Sequence, residues 1–258
     1  MPDLQTVVFH EAKAGASDSE WEDCAAHRAA DPPANRPARL VVVDGAAEAY
    51  DPVFWVGQLV ASFIGADGPM ALEADYLDAW FALMQERWAE TPREFHNVFA
   101  EHKFRTKGSF ATLLGCDVHG LDGPRPHWTG VALGDAVLFQ FRPGVGVVAQ
   151  LPDIKADAFG INPDGMSTQP SQRLRMRDRL VFVGHDLRPA DVLYLTTDAL
   201  AQWLLRRDCW AEIAAIDHPR AFRRWVGEQR AAGMKNDDVT MLRAEVTADD
   251  VELLVLCR

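Results

Sequence analysis

Four aspartates stand at or beside the ends of apolar, strand-like runs. Asp44 closes Leu40-Val41-Val42-Val43, and Asp135 follows Val131-Ala132-Leu133-Gly134. Asp198 closes Val192-Leu193-Tyr194-Leu195-Thr196-Thr197, and Asp237 opens a run that reaches Leu242. An ionised carboxylate at the end of a buried strand is strongly destabilising unless a charge meets it. A fold that gathers these strand ends would build an all-oxygen site for a hard cation such as Mg2+ or Mn2+. A fold that keeps them apart would leave ordinary roles. Asp44-Gly45 and Asp135 would be turns, Asp198 a helix cap, and Asp237 or Asp238 a turn residue before a strand.

The chain has 258 residues, 48% hydrophobic and 25% charged, which suits one globular domain over 1–258. Its net charge of −12 argues against nucleic acid as a ligand, since no basic stripe offsets phosphate repulsion. Cys24, Cys116, Cys209 and Cys257 form no C-x-x-C pair, so a structural zinc site is not expected and a reducing compartment is. Met1-Pro2-Asp3-Leu4 lacks the basic start of a signal peptide. No apolar run approaches the roughly 18 residues a membrane span needs. The expectation is a cytoplasmic monomer that engages no membrane.

Strand patterns cover Leu4 to His10, Glu22 to Arg28 and Arg39 to Asp44, with a proline-bearing loop from Ala30 to Arg39. Asp51-Pro52 reads as the cap and first turn of a helix bearing Val53, Val56, Val60, Phe63 and Ile64. A second helix over Leu72 to Glu90 carries the apolar stripe Leu77, Trp80, Phe81, Met84 and Trp88, and Arg93 to Lys103 resumes as helix. Strands are expected over Ser109–Val118, Trp128–Leu133, Val137–Phe141 and Val145–Leu151. Residues 152 to 190 read as an irregular excursion. Asp191–Thr197 is a strand, followed by helices over Ala199–Arg207, Ala211–Ile216 and Pro219–Arg230. Asp238–Val246 and Val251–Cys257 close the chain as strands.

The motif order carries a resemblance. Glu22-Asp23, Val43-Asp44-Gly45, Gly108-Ser109, Gly134-Asp135, Thr197-Asp198 and Asp237-Asp238-Val239-Thr240 follow one another from about residue 5 to residue 247. This resembles the metal-dependent serine/threonine protein phosphatases of type 2C. Their elements are Asn-Glu-Asp, Ala-Asp-Gly, Gly-Ser-Thr, Gly-Asp-Ser-Arg, Thr-Asp-Gly and Asp-Asn-x-Thr. The resemblance implies an α+β fold: a four-layer αββα sandwich, two antiparallel sheets flanked by helix pairs. It implies two Mn2+ or Mg2+ ions. Asp44 would bridge them, the Gly45 carbonyl would assist the second, and Asp198 and Asp237 would complete the first. Glu22 and Asp23 would reach the second ion, partly through water, and Asp135 would hold a third. A metal-activated water would then hydrolyse phosphoserine or phosphothreonine on a protein partnered with a serine/threonine kinase.

The accessories around the acids depart from that pattern. Asp18 stands where the family often has a phosphate-gripping arginine, with Lys13 upstream and Arg28 downstream as the nearest basic residues. Ala46-Ala47-Glu48-Ala49 replaces a glycine-rich stretch, and Ala136 and Ala199 replace serine and glycine. Two rival readings follow. One is a regulatory module that kept the fold and lost catalysis; the other is a hydrolase of a small phosphoester. Arg173, Arg175 and Arg177 alternate, so an extended segment would put them on one face, either solvated or clamping an anion over the site. The eight histidines show no ligand spacing and read as surface or satisfied core residues.

Overall fold

The computed structural model describes residues 4–160 and 163–247. The chain begins with β1 (Leu4–Glu11), β2 (Cys24–Arg28) and β3 (Ala38–Val43), then α1 (Pro52–Ile64), α2 (Ala74–Glu90) and α3 (Val98–Thr106). The strands β4 (Phe110–Ala111), β5 (Leu113–His119), β6 (His127–Leu133), β7 (Val137–Arg142) and β8 (Gly146–Leu151) follow. Next come β9 (Met166–Ser167), α4 (Arg173–Asp178), β10 (Val181–Asp186) and β11 (Val192–Thr196). The described chain ends with α5 (Asp198–Arg206), α6 (Trp210–Ala214), α7 (Pro219–Ala231) and β12 (Val239–Val246). The strand expected over Val251–Cys257 lies outside the described residues.

Two five-stranded antiparallel sheets face each other, ordered β1-β12-β11-β7-β8 and β10-β6-β5-β3-β2. The alternation of side chains along a strand explains the layers. In β3, Leu40 and Val42 point between the sheets, where they meet Leu114, Leu138, Leu195 and Leu242. Val41 and Val43 point the other way, into a layer with Trp55 and Leu59 of α1 and Trp80, Phe81 and Met84 of α2. On the far side, Phe139, Tyr194 and Met241 pack under Leu200, Trp203 and Phe222 of α5 and α7. The four-layer αββα sandwich is therefore present, and the α2 stripe is core.

Several local expectations are corrected. Asp51 does not cap α1: its backbone is left-handed (φ 50°, ψ 57°) and its side chain makes no cap bond. It makes the sharp entry turn instead, a conformation aspartate tolerates better than most residues. Val53 is 47% exposed, because the buried stripe runs through Trp55, Val56, Leu59, Val60 and Phe63. The helix after Pro92 starts only at Val98, capped by Asn97, whose Oδ1 accepts from the Ala100 N–H at 2.8 Å. Arg93 does not join it; its guanidinium lies 3.9 Å from the Trp88 ring centre. The 152–190 segment is not irregular throughout. It holds β9, α4 and β10, and β10 pairs with β6 along its full length.

Candidate metal centre

Strand register brings the acids together. Cys24 pairs with Val43, so Asp23 and Asp44 lie side by side at one end of their sheet. Thr196 pairs with Met241, so Asp198 stands beside the Asp237-Asp238 turn at an end of the other sheet. The turn between β6 and β7 crosses from one sheet to the other and carries Asp135. Thr240 ties the two ends. Its Oγ1 donates to Asp23 Oδ2 at 2.8 Å, and its N–H donates to Thr197 Oγ1 at 2.9 Å.

Thr112 holds the main chain of the Asp44-Gly45 turn. The Thr112 N–H donates to the Asp44 carbonyl at 2.8 Å, and the Asp44 N–H donates to Thr112 Oγ1 at 3.3 Å. Thr112 interrupts the strand expected over Ser109–Val118, splitting it into β4 and β5, and the interruption is what grips Asp44. Glycine at 45 is dictated by close approach: a Cβ there would stand 2.5 Å from the Glu22 carbonyl oxygen. The absence of a Cβ lets the two acid-bearing turns approach each other closely.

Burial and mutual repulsion dominate the electrostatics. Asp44 is pushed well above the ordinary carboxylate range, first by burial and then by the charges of Asp23, Asp198, Asp135 and Asp237. Burial is also the main cause that lifts Asp23 to about 8, with the Thr240 hydrogen bond opposing and Asp238 and Asp198 adding repulsion. Asp135 rises to about 7 through burial and the charge of Asp198. A carboxyl whose folded pKa exceeds its unfolded value stabilises the fold in its protonated form. That contribution is complete below about pH 4 and is lost as pH rises through the folded value. The metal-free protein is therefore expected to lose melting temperature between about pH 4 and pH about 8, and Asp23→Asn to flatten that slope. Calorimetry in chelator checks it; a melting temperature that climbs steadily over that range contradicts it.

The remaining acids are partly satisfied from within. Lys235 Nζ lies 2.7 Å from both Asp198 Oδ2 and Asp237 Oδ2. Burial opposes its charge, yet the two carboxylates outweigh burial and hold Lys235 above the ordinary lysine value. Glu22 is drawn to Lys13 at 3.0 Å. Asp238 faces the loop before β2, accepting the N–H groups of Lys13 and Glu22 at 2.8 Å each. Asp18 points outward to Arg223 at 2.9 Å.

These residues fit hard divalent cations. The donors are oxygens, fixed on sheet ends, and Asp135 Oδ2 is buried with no hydrogen-bond partner. Among the described residues no three His, Cys, Asp or Glu side chains already stand at ligand spacing. Lys235 holds two of the acids instead.

Asp44, Gly45, Asp135, Asp198 and Asp237 line one cleft of about 1080 Å³, together with Phe110, Phe159, Lys107, Arg175 and Lys235. Glu22 and Asp23 do not line it: Asp23 is buried beside Asp44, and Glu22 pairs with Lys13 at its margin. The three arginines are helical rather than extended, so they do not share a face. Arg173 and Arg177, four apart on α4, pair with Asp78 and Asp75 of α2. Arg175 alone turns to the cleft, 3.0 Å from Asp164. His119 and His127 stack at 4.9 Å across β5 and β6, a proximity that their spacing in sequence conceals. His119 lies seven residues along the chain from Thr112, which stands opposite Asp44, on the order of 23 Å at the usual rise. Lys235, Thr240 and Thr112 are the site residues that motif reading passed over or left in a supporting role.

No family model matches the chain, and no curated protein matches it in sequence. Solved structures match it in fold. The catalytic domain of the serine threonine protein phosphatase PstP, in complex with two manganese ions, aligns with TM-score 0.62 and 15% identity over 96% of this chain and 100% of that one. The serine/threonine phosphatase Stp1 from Staphylococcus aureus gives 0.64 and 11% over 95% and 96%. PppA, a key regulatory component of the T6SS in Pseudomonas aeruginosa, gives 0.61 and 17% over 95% and 98%. The chain thus has the fold of the type 2C-like serine/threonine phosphatases, along nearly its whole length.

Proposed function

We propose that this chain hydrolyses phosphoserine and phosphothreonine esters on proteins, using Mn2+ or Mg2+. The observation that carries the reading is the convergence of Asp44, Asp135, Asp198 and Asp237 on one cleft wall, with Asp23 buried beside Asp44. Neutral pH leaves such a group short of positive charge. Asp198, Asp237 and Asp44 would hold one cation, Asp44 and the Gly45 carbonyl a second, and Asp135 with Asp198 a third. Glu22 and Asp23 would support the second through water. Bound divalent cations supply positive charge to the phosphoryl oxygens and a more acidic water as nucleophile.

The chain's own residues do the rest. Two hydrogen bonds between its main chain and Thr112 fix the Asp44 backbone at the cleft wall, which sets where its carboxylate starts. Arg175 reaches the cleft from α4, paired with Asp164, and would grip the phosphate in the role that Asp18 does not fill. Phe110 and Phe159 give the cleft an apolar side on which a peptide rather than a bare metabolite can rest.

A phosphothreonine peptide tests this, assayed for phosphate release with and without Mn2+. Release that depends on Mn2+ and vanishes in Asp44→Ala is expected. No turnover above that variant sinks the reading. The alternative of a regulatory module draws on one observation, the ion pairs of Lys235 with Asp198 and Asp237 that satisfy two acids without metal. Mn2+ uptake without hydrolysis of any phosphopeptide or small phosphoester would favour it. Faster turnover of small phosphoesters than of phosphopeptides would favour the metabolite reading. No helix among the described residues is long and apolar enough to cross a membrane, and the proposed site is that of a monomer.

A further inference from the structure

The acids assigned to the first cation already hold a cation belonging to the chain. Lys235 Nζ touches Asp198 Oδ2 and Asp237 Oδ2 at 2.7 Å each. The turn that presents it is anchored on both sides. Met234 is buried, and Arg230 of α7 donates to the Asp237 carbonyl at 2.6 Å and to the Ala12 carbonyl at 2.9 Å. The lysine side chain itself is 47% exposed, so its stem can swing into the cleft while the turn stays in place. An ammonium is a compact charge on a flexible arm, without the rigid two-pronged hold of a guanidinium. It is therefore the basic group that a stronger cation can evict.

A divalent ion and the ammonium cannot use the same two oxygens. From that exclusion, we infer that Lys235 is an internal competitor for the cation at Asp198 and Asp237. It neutralises the pair when the ion is absent and is displaced when the ion binds. The inference rests on the reading that these two aspartates are cation ligands. It adds that the affinity for the ion is set by a residue that never ligates it. Lys13 stands in the same relation to Glu22, but it meets a single carboxylate at the margin of the site. Among the described residues, Lys235 alone spans two acids of the cleft wall.

The measurement is calorimetric titration of Mn2+ into the metal-free full chain, comparing the native protein with Lys235→Met and Lys235→Gln. Two charge-assisted hydrogen bonds must break before the ion enters the native site, and a displaced ammonium still repels it. Both neutral variants are expected to bind Mn2+ about tenfold more tightly or better. Lys235→Arg, which keeps the charge, is expected to bind no more tightly than native. The neutral variants should also melt lower without metal and gain more on adding Mn2+. Equal or weaker Mn2+ binding in both neutral variants overturns the inference and leaves the cation reading standing. If neither native protein nor variants take up Mn2+, the cation reading itself falls, and the inference with it.

Discussion

Asp44→Asn is expected to abolish turnover and, in the absence of metal, to raise the melting temperature. The two effects share one cause. Asp44 stands half-buried beside Asp23, Asp135, Asp198 and Asp237, and loss of solvent around the carboxyl first, then their charges, holds it far above the usual range. Asparagine keeps the shape and removes that repulsion. The backbone links to Thr112 do not involve the side chain and survive. Removing a destabilised charge from a functional site commonly gains about 1–2 kcal/mol. For a domain of this size that is about 2–4 °C per kcal/mol. The same change removes the carboxylate proposed to bridge two cations, so Mn2+-dependent phosphopeptide hydrolysis should fall by about 10³-fold or more. In saturating Mn2+ the order of stability should reverse, because the native protein gains binding free energy that the variant forgoes. Calorimetry in chelator and in Mn2+, run beside the hydrolysis assay, reads all three. A variant that melts lower without metal, or keeps activity within about tenfold of native, contradicts the role given to Asp44.

The acids were legible because they end apolar runs. Leu40 to Val43 reads as a strand buried on both faces, and a charge directly after it asks for a partner. The α2 stripe was legible for a similar reason: its spacing leaves one consistent face. What escaped depends on contacts between distant segments. β10 has mostly exposed side chains and carries Gly184, His185 and Asp186, so no periodicity marks it; its pairing with β6 makes it a strand. Arg173, Arg175 and Arg177 fit an extended alternation as well as a helix, and the ion pairs to Asp75 and Asp78 on α2 accompany the helical solution. Lys235 is the instructive case. A lysine two residues before an aspartate is unremarkable on a surface turn, and only the return of β12 beside β11 sets it against Asp198.

Arg39→Ala is expected to cost about 3–5 kcal/mol, the usual penalty for stripping one partner from a buried ion pair. Arg39 and Asp117 face each other across β3 and β5 in direct register. Their side chains are 3% and 4% exposed, and two parallel bonds of 2.7 Å join them. The guanidinium does more than meet the carboxylate. Its Nη1 donates to the Pro69 carbonyl at 2.6 Å and the Phe63 carbonyl at 3.3 Å, which fastens the end of α1 and the following loop to the sheet. A cation there also suits the negative end of the helix. Alanine would leave Asp117 buried without its charge partner and two carbonyls without their donor. Lysine would keep the charge but not the paired geometry, so Arg39→Lys should recover only part of the loss. A joint Arg39→Met, Asp117→Leu change should recover more, since apolar replacement of a whole buried pair is often neutral. At about 2–4 °C per kcal/mol the alanine variant should melt on the order of 10 °C lower, and urea titration of the four proteins gives the free energies. A loss below about 1 kcal/mol would mean that water reaches the pair. The contrast with the cleft is then chemical: Asp117 has its cation built in at a fixed bidentate arginine, whereas Asp198 and Asp237 share a lysine that a metal can displace.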